Sequence, residues 1–155
     1  MLRKFSTLML TAALLTGSVA ATAAFAQQAA PVQQQLKIKV ELNGKELVFP
    51  QDIVTENGVA YVNASTLALA LGGAAAYDSR INSILVSKDN KYGLRMYINN
   101  TFAYKNGKEI RVPNPPRATT GAVLVPLVYI AQELGAQVTY DANTFTYKLT
   151  TEVKS

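Results

Sequence analysis

The tetrapeptide Asn43-Gly44-Lys45-Glu46 returns as Asn106-Gly107-Lys108-Glu109, an offset of 106 − 43 = 63 residues. The same offset pairs Pro50 with Pro113, Gly58 with Gly121, Val62 with Val125 and Ala68 with Ala131. It also pairs Leu71 with Leu134, Gly72 with Gly135, Tyr77 with Tyr140 and Asp78 with Asp141. The matches hold one register without a gap over 43–88, so they mark an internal repeat of one supersecondary unit. A unit of about 50 residues has too little interior to be stable alone. The two units are therefore expected to pack against each other.

Each unit reads the same way physically. "KIKVELNGKELVF" and "TFAYKNGKEIRV" alternate apolar and polar residues around Asn-Gly, a pair that accepts the positive backbone angles of a tight hairpin. A proline-bearing loop and a short strand follow, "VAYV" or "AVLV". Then an apolar stripe appears at i, i+3, i+4 and i+7: Ala64, Leu67, Ala68 and Leu71 in the first unit, Leu127, Ile130, Ala131 and Leu134 in the second. That is one face of a helix of about nine residues, too short to be stable alone in water. Asn63 or Ser65 suits the cap of the first helix, and Pro126 the opening position of the second. Gly72 and Gly135 stand where a left-handed residue ends a helix. "AAAYD" and "AQVTYD" read as strands, with Asp78 and Asp141 in the turns that follow. Tyr92–Asn100 reads as a further strand joining the halves. Strands joined by tight turns argue for antiparallel pairing. The expected fold is α+β: two duplicated units of antiparallel strands, each packing one short α-helix.

The ends set the domain limits. Arg3 and Lys4 precede an uncharged, mostly apolar run that closes on Ala24-Phe25-Ala26, the pattern of a signal peptide over 1–26. A retained anchor is the alternative; the Thr, Ser and Gly residues and the Ala-x-Ala end favour cleavage. Residues 27–35 are a Gln/Ala-rich leader without order-promoting pattern. Repeat one is placed at 36–90 and repeat two at 91–155. Cleavage leaves 13 basic and 10 acidic residues, a charge of +3. No basic run suggests nucleic acid, and no second long apolar run makes the mature chain membrane-spanning. Oligomeric state is left open. The chain has no cysteine, so an exported domain of this size must be held by burial alone.

The stretch "YKNGKEIRVPNPPRATTGAVLVPLVYIAQELGAQVTYDANTFTYKL" resembles the stalk-type domain, also called the copper amine oxidase N-terminal-like domain, of secreted bacterial proteins. Asn106, Gly107, Pro115, Pro116, Gly121, Val125, Pro126, Leu127, Ile130, Ala131, Leu134, Gly135, Ala136, Val138 and Asp141 match its pattern. Val128 stands where the family favours arginine, Gln132 replaces a glutamate and Tyr140 a tryptophan. The first copy diverges more, with Asn63 at the proline position. The resemblance covers 36 to about 151 and implies an accessory stalk, often present as a tandem pair and without catalysis of its own.

The residue types agree with that implication. A copper site needs imidazole donors, and the chain has no histidine. The tyrosine-derived oxidase cofactor belongs to an Asn-Tyr-Asp/Glu setting that does not occur here. Without cysteine, or histidine to activate a serine, nucleophilic catalysis has no obvious machinery. Ser87 and Lys88 are strand neighbours facing opposite ways. No cofactor motif or metal spacing is present. A hydrolase reading rests on Asp78 and Asp141 alone, as a carboxylate pair; as turn residues bonding their own backbone they need no such role.

Eight tyrosines without tryptophan leave one positive signal. Tyr97, Phe102, Tyr104, Tyr129 and Tyr147 are candidates for an exposed strip that stacks on glycan rings or contacts protein. The candidate contact residues are Tyr97, Tyr104, Arg117 and Tyr129. The leading expectation is a secreted, non-catalytic binding or structural module of the cell envelope, with a wall polymer or a secreted or surface protein as partner. The alternative is an inhibitor or accessory subunit of a secreted enzyme, docking through the proline-stiffened loop that bears Arg117.

Overall fold

The computed structural model describes residues 37–152, which lie within one compact unit, Gln35–Ser155. The expected signal peptide, 1–26, and the expected leader, 27–35, lie outside the described residues. The chain opens with strands β1 (Lys39–Leu42), β2 (Lys45–Glu46), β3 (Val54–Glu56) and β4 (Val59–Asn63). Helix α1 (Ala64–Ala70) and strands β5 (Ala74–Asp78), β6 (Ser83–Lys88) and β7 (Tyr92–Tyr97) come next. The second half holds β8 (Phe102–Lys105), β9 (Lys108–Arg111), β10 (Arg117–Thr119) and β11 (Ala122–Pro126). It ends with α2 (Leu127–Glu133), β12 (Gln137–Asp141) and β13 (Thr146–Thr150). Strand dominates and two short helices accompany it, an α+β arrangement.

Local chemistry sets the turns and helix ends. Asn43 and Asn106 adopt φ of 50° and 49°, left-handed values that Asn tolerates and tight hairpins require. Both helices end alike. Gly72 (φ 77°) and Gly135 (φ 88°) take the left-handed position after the last turn. Gly73 N–H then donates to Ala68 O at 2.8 Å, and Ala136 N–H to Ala131 O at 2.9 Å. That closure satisfies carbonyls the helix leaves open. The helices are seven residues long, shorter than the expected nine, because the glycine closure takes the last turn. Asn63 is the N-cap of α1, accepting from Thr66 N–H at 3.0 Å. Pro126, expected as a first helical residue, is instead the N-cap of α2: its ψ of 115° keeps it extended as the end of β11.

The strands form three sheets, ordered β12-β13-β1-β2, β10-β11-β4-β3 and β5-β6-β7-β8-β9. In the middle one β4 pairs antiparallel with β11, Val62 opposite Val125 and Leu124 opposite Asn63. Antiparallel pairing was expected throughout, but β1 runs parallel to β13, from Lys39↔Thr146 to Leu42↔Leu149. No tight turn links these two strands, so nothing local imposes opposite directions on them. In the five-stranded sheet β7 separates β6 from β8, antiparallel to both. Thus β6 and β8 also run the same way, with one strand inserted between them.

One apolar core joins the sheets. Leu67 and Ala68 of α1 and Leu127, Ile130 and Ala131 of α2 are fully buried, with Val62 and Val125 between them. Helix α1 packs on β5 and β11, and α2 on β12 and β4, so each helix rests partly on the other half. Each fully buried Leu or Ile contributes about 1.5–3 kcal/mol. Lys88 on β6 adds a polar tie, donating to Leu134 O at the end of α2 at 2.7 Å. A cation is favoured at that end of a helix.

Candidate functional site

Strand alternation divides the five-stranded sheet into two faces. Leu94 and Met96 on β7 and Ala103 on β8 point inward, with no exposed surface. Arg95, Tyr97, Phe102 and Tyr104 therefore share the outer face. Arg95 lies opposite Tyr104, and Phe102 opposite Arg111 of β9. The rings of Tyr97 and Phe102 stand 5.9 Å apart, those of Phe102 and Tyr104 5.1 Å apart and edge to face. The Arg111 guanidinium lies 5.8 Å from the Phe102 centroid. Cross-strand pairing of this kind fixes aromatic rings at low entropy. Tyr104 is 37% exposed, so the strip is open to a ligand at that end.

The same face continues into a shallow basin of about 380 Å³, bordered by Asp78, Arg80, Leu85 and Arg95. Arg95 is held there by a 2.9 Å hydrogen bond from its Nη1 to Ser83 Oγ. Arg80 doubles onto Asp78, its Nε and Nη2 donating at 3.2 and 3.1 Å. The surface thus carries Arg80, Arg95 and Arg111 around three rings. It can stack on flat groups and attract anions.

The remaining sequence candidates go elsewhere. Tyr129 lies on α2 beside Glu133. Glu133 accepts from Tyr92 Oη at 2.8 Å and pairs with Lys105 Nζ at 2.8 Å. Burial together with the Glu133 charge pushes Tyr129 up to about 12 and Tyr92 far above the usual phenol range. Burial alone would raise Glu133, but the hydrogen bonds from Lys105 and Tyr92 prevail and hold it below its ordinary value. This cluster ties α2 to the five-stranded sheet. Tyr147 stacks on Tyr140 at 4.6 Å in the first-named sheet. The expected five-residue strip is therefore three rings on one sheet plus two residues placed apart.

Arg117 lies on β10, not in an open loop. Its guanidinium pairs with Glu56 and sits 5.0 Å from the Tyr61 centroid. Sequence reasoning missed both partners, which lie 61 and 56 residues away (117 − 56 and 117 − 61) and leave no local signal. Arg95 and Arg111 were missed as well, although alternation around Tyr97 and Phe102 could have placed them beside the rings.

Asp78 and Asp141 end β5 and β12, in different sheets. Each accepts a backbone N–H two residues on, from Arg80 and Asn143, both at 3.0 Å. Side-chain hydrogen bonds from Arg80 and Lys148 are the first cause holding the two carboxyls below their usual range. A proton donor to a glycosidic oxygen needs the opposite shift. Among the described residues no three carboxylates gather to hold a metal, and the chain has neither histidine nor cysteine. Its donor set does not fit copper. Among the described residues no helix is long and apolar enough to cross a membrane.

A family model described as the copper amine oxidase N-terminal domain matches residues 41–149. The comparisons with curated proteins and with solved structures return no match.

Proposed function

The chain belongs to the copper amine oxidase N-terminal domain family, and on that premise we propose that it is a non-catalytic accessory domain, exported and held at the cell envelope by binding an anionic wall polymer. Cleavage after Ala26 would release the 27–155 chain, its 36–90 and 91–155 portions being copies of one stalk-like unit. The 63-residue offset supports this, as do the matched helix closures at Gly72 and Gly135 and the pairing of Val62 with its counterpart Val125.

The observation that carries the binding reading is the outer face of the five-stranded sheet, where Tyr97, Phe102 and Tyr104 alternate with Arg95 and Arg111. Rings give area at low entropy, and guanidinium groups supply planar donors for carboxylate or phosphate. These side chains lie on the face of β7–β9 opposite the buried Leu94, Met96 and Ala103, so a polymer strand could cross them without entering the core.

The test is co-sedimentation of the 27–155 chain with insoluble wall material at low and high salt. Saturable binding that weakens with salt is expected. A Tyr104→Ala/Arg111→Ala variant should bind about tenfold less tightly, the loss of one ring contact and one screened charge. Undiminished binding by that variant overturns the assigned face. Absence of binding at any salt overturns the wall polymer and leaves a secreted or surface protein as partner.

A further inference from the structure

A second concavity, of about 440 Å³, lies where the middle sheet meets the start of α1 and the edge of the five-stranded sheet. Tyr77, Ile84, Asn63, Ser65, Thr119 and Val123 border it. Its size falls in the range of small-molecule clefts. Every residue lining it is uncharged, in contrast to the arginine-bearing face described above.

The other half of the chain supplies an internal standard for this place. Tyr77 faces Ile84 across the β5–β6 pair, and Tyr140 faces Tyr147 across β12–β13. These are equivalent positions at the 63-residue offset (77 + 63 = 140, 84 + 63 = 147). In the second half the Tyr147 ring stacks on Tyr140, centroids 4.6 Å apart. In the first half Ile84 offers no ring to stack on Tyr77; the two tyrosines at the equivalent positions are similarly exposed, Tyr77 46% and Tyr140 48%. The bordering positions differ in the same sense. Asn63 and Ser65 correspond to Pro126 and Val128 (63 + 63 and 65 + 63). The first half thus has an unstacked ring beside Asn63 and Ser65, where the second has a ring pair beside Pro126 and Val128.

We propose that this groove binds a neutral pyranose ring, seated on Tyr77 in the place that the Tyr147 ring takes against Tyr140. A pyranose has an apolar C–H face for the phenol ring of Tyr77, with the buried Ile84 forming the floor beneath, and hydroxyls around its rim. Ser65 lies exposed at the mouth and offers a hydroxyl. The Thr119 hydroxyl donates to Ala122 O at 3.3 Å, leaving its lone pairs to accept. The Tyr77 hydroxyl donates to Asn82 Oδ1 at 2.8 Å and is fixed in position with lone pairs to spare. Asn63 is already committed, capping α1 and donating to Gln51 Oε1 at 2.7 Å. It shapes the wall without being needed for contact. An aromatic side chain of a partner would fill the ring position but would waste the Ser65 and Thr119 hydroxyls. A charged sugar would find no counter-charge. The groove shares Tyr77 with the border of the basin beside Arg80 and Arg95, but none of Tyr97, Phe102, Tyr104 or Arg111, so the ring strip and the groove can fail separately.

The experiment is an amide-resolved NMR titration of the 27–155 chain with uncharged oligosaccharides, cellotetraose and tetra-N-acetylchitotetraose. Saturable shifts centred on Ser65, Tyr77 and Thr119, unchanged by salt, are expected with at least one of them. Ile84→Tyr recreates the stacked pair of the second half and should weaken binding about tenfold or more by closing the seat. Because Ile84 is buried, Tyr77→Ala and Thr119→Ala, at more exposed positions, give an independent reading with the same expected loss. The proposal is overturned if neither sugar shifts these amides or if the shifts fall on Tyr97 and Tyr104. Undiminished binding by the folded variants overturns it as well.

Discussion

Glu133 joins α2 to two strands of the five-stranded sheet. Its carboxylate takes a hydrogen bond from Tyr92 and an ion pair from Lys105, across the boundary between α2 and the five-stranded sheet. The ordinary value of such a carboxyl is 4.5, and the folded protein holds Glu133 below it. A depressed folded value means the unfolded chain takes up the proton first. Stability from this contact is full above the ordinary value and is lost as pH falls through the lower folded one. Urea unfolding at pH 7 should show Glu133→Gln less stable by about 1.5–3 kcal/mol, the range for a hydrogen bond to a charged group. As pH falls below 4.5 and through the lower folded value the difference should shrink, since wild type loses the charge that the variant already lacks. A difference constant with pH would mean that Glu133 contributes by packing alone. Nothing around Glu133 in the chain announces this role. Tyr92 is 41 residues away, and only folding brings it within hydrogen-bond reach.

At the scale of elements, local chemistry was legible wherever a residue's own backbone decides the outcome. Asn43-Gly44 and Asn106-Gly107 make the hairpins, and Gly72 and Gly135 stop the helices. The apolar stripes at Leu67 and at Leu127 and Ile130 are the buried faces. Pairing between distant strands was not legible. The parallel match of β1 with β13 and the pairing of β4 with β11 depend on contacts with no sequence-local trace, whereas β5 to β9 follow one another in chain order through short turns. The candidate site divides the same way: Tyr97 and Tyr104 share a face by alternation, whereas the engagement of Arg117 by Glu56 was invisible. The two helix starts allow a direct test. Asn63 caps α1 through its side chain, whereas Pro126 gives α2 no side-chain cap. Asn63→Ala should lower stability by about 1 kcal/mol, the usual loss of a cap, with a little more from the broken bond to Gln51. Thermal denaturation at neutral pH measures it. An unchanged midpoint would show that packing of Leu67 and Ala68 sets the helix start without the cap.

The whole molecule is built by exchange between its halves. Strand β4 of the first half pairs with β11 of the second, and β1 lies beside β13. Helix α1 rests on β11, and α2 on β4. Cutting at the sequence boundary between 90 and 91 severs none of these elements but leaves every one of them without its partner. Residues 36–90 would keep α1 while losing the strand that covers its far side. They would also expose Val62, which is 1% accessible in the intact fold. A chain of that length buries only a marginal share of its surface even when all its contacts are internal. Neither 36–90 nor 91–155 alone should give the dispersed amide spectrum of a folded domain. Mixed in equal amounts, the two should recover that spectrum through the β4–β11 and β1–β13 pairings, because those contacts need proximity and not chain continuity. A folded 91–155 fragment on its own would contradict this, since it would show that α2 and its strands can close a core without β4 and β1. Recovery on mixing with failure of each alone would locate the folding unit at the level of the pair, the level at which the arginine-bearing sheet, with β7 drawn in between β6 and β8, is also completed.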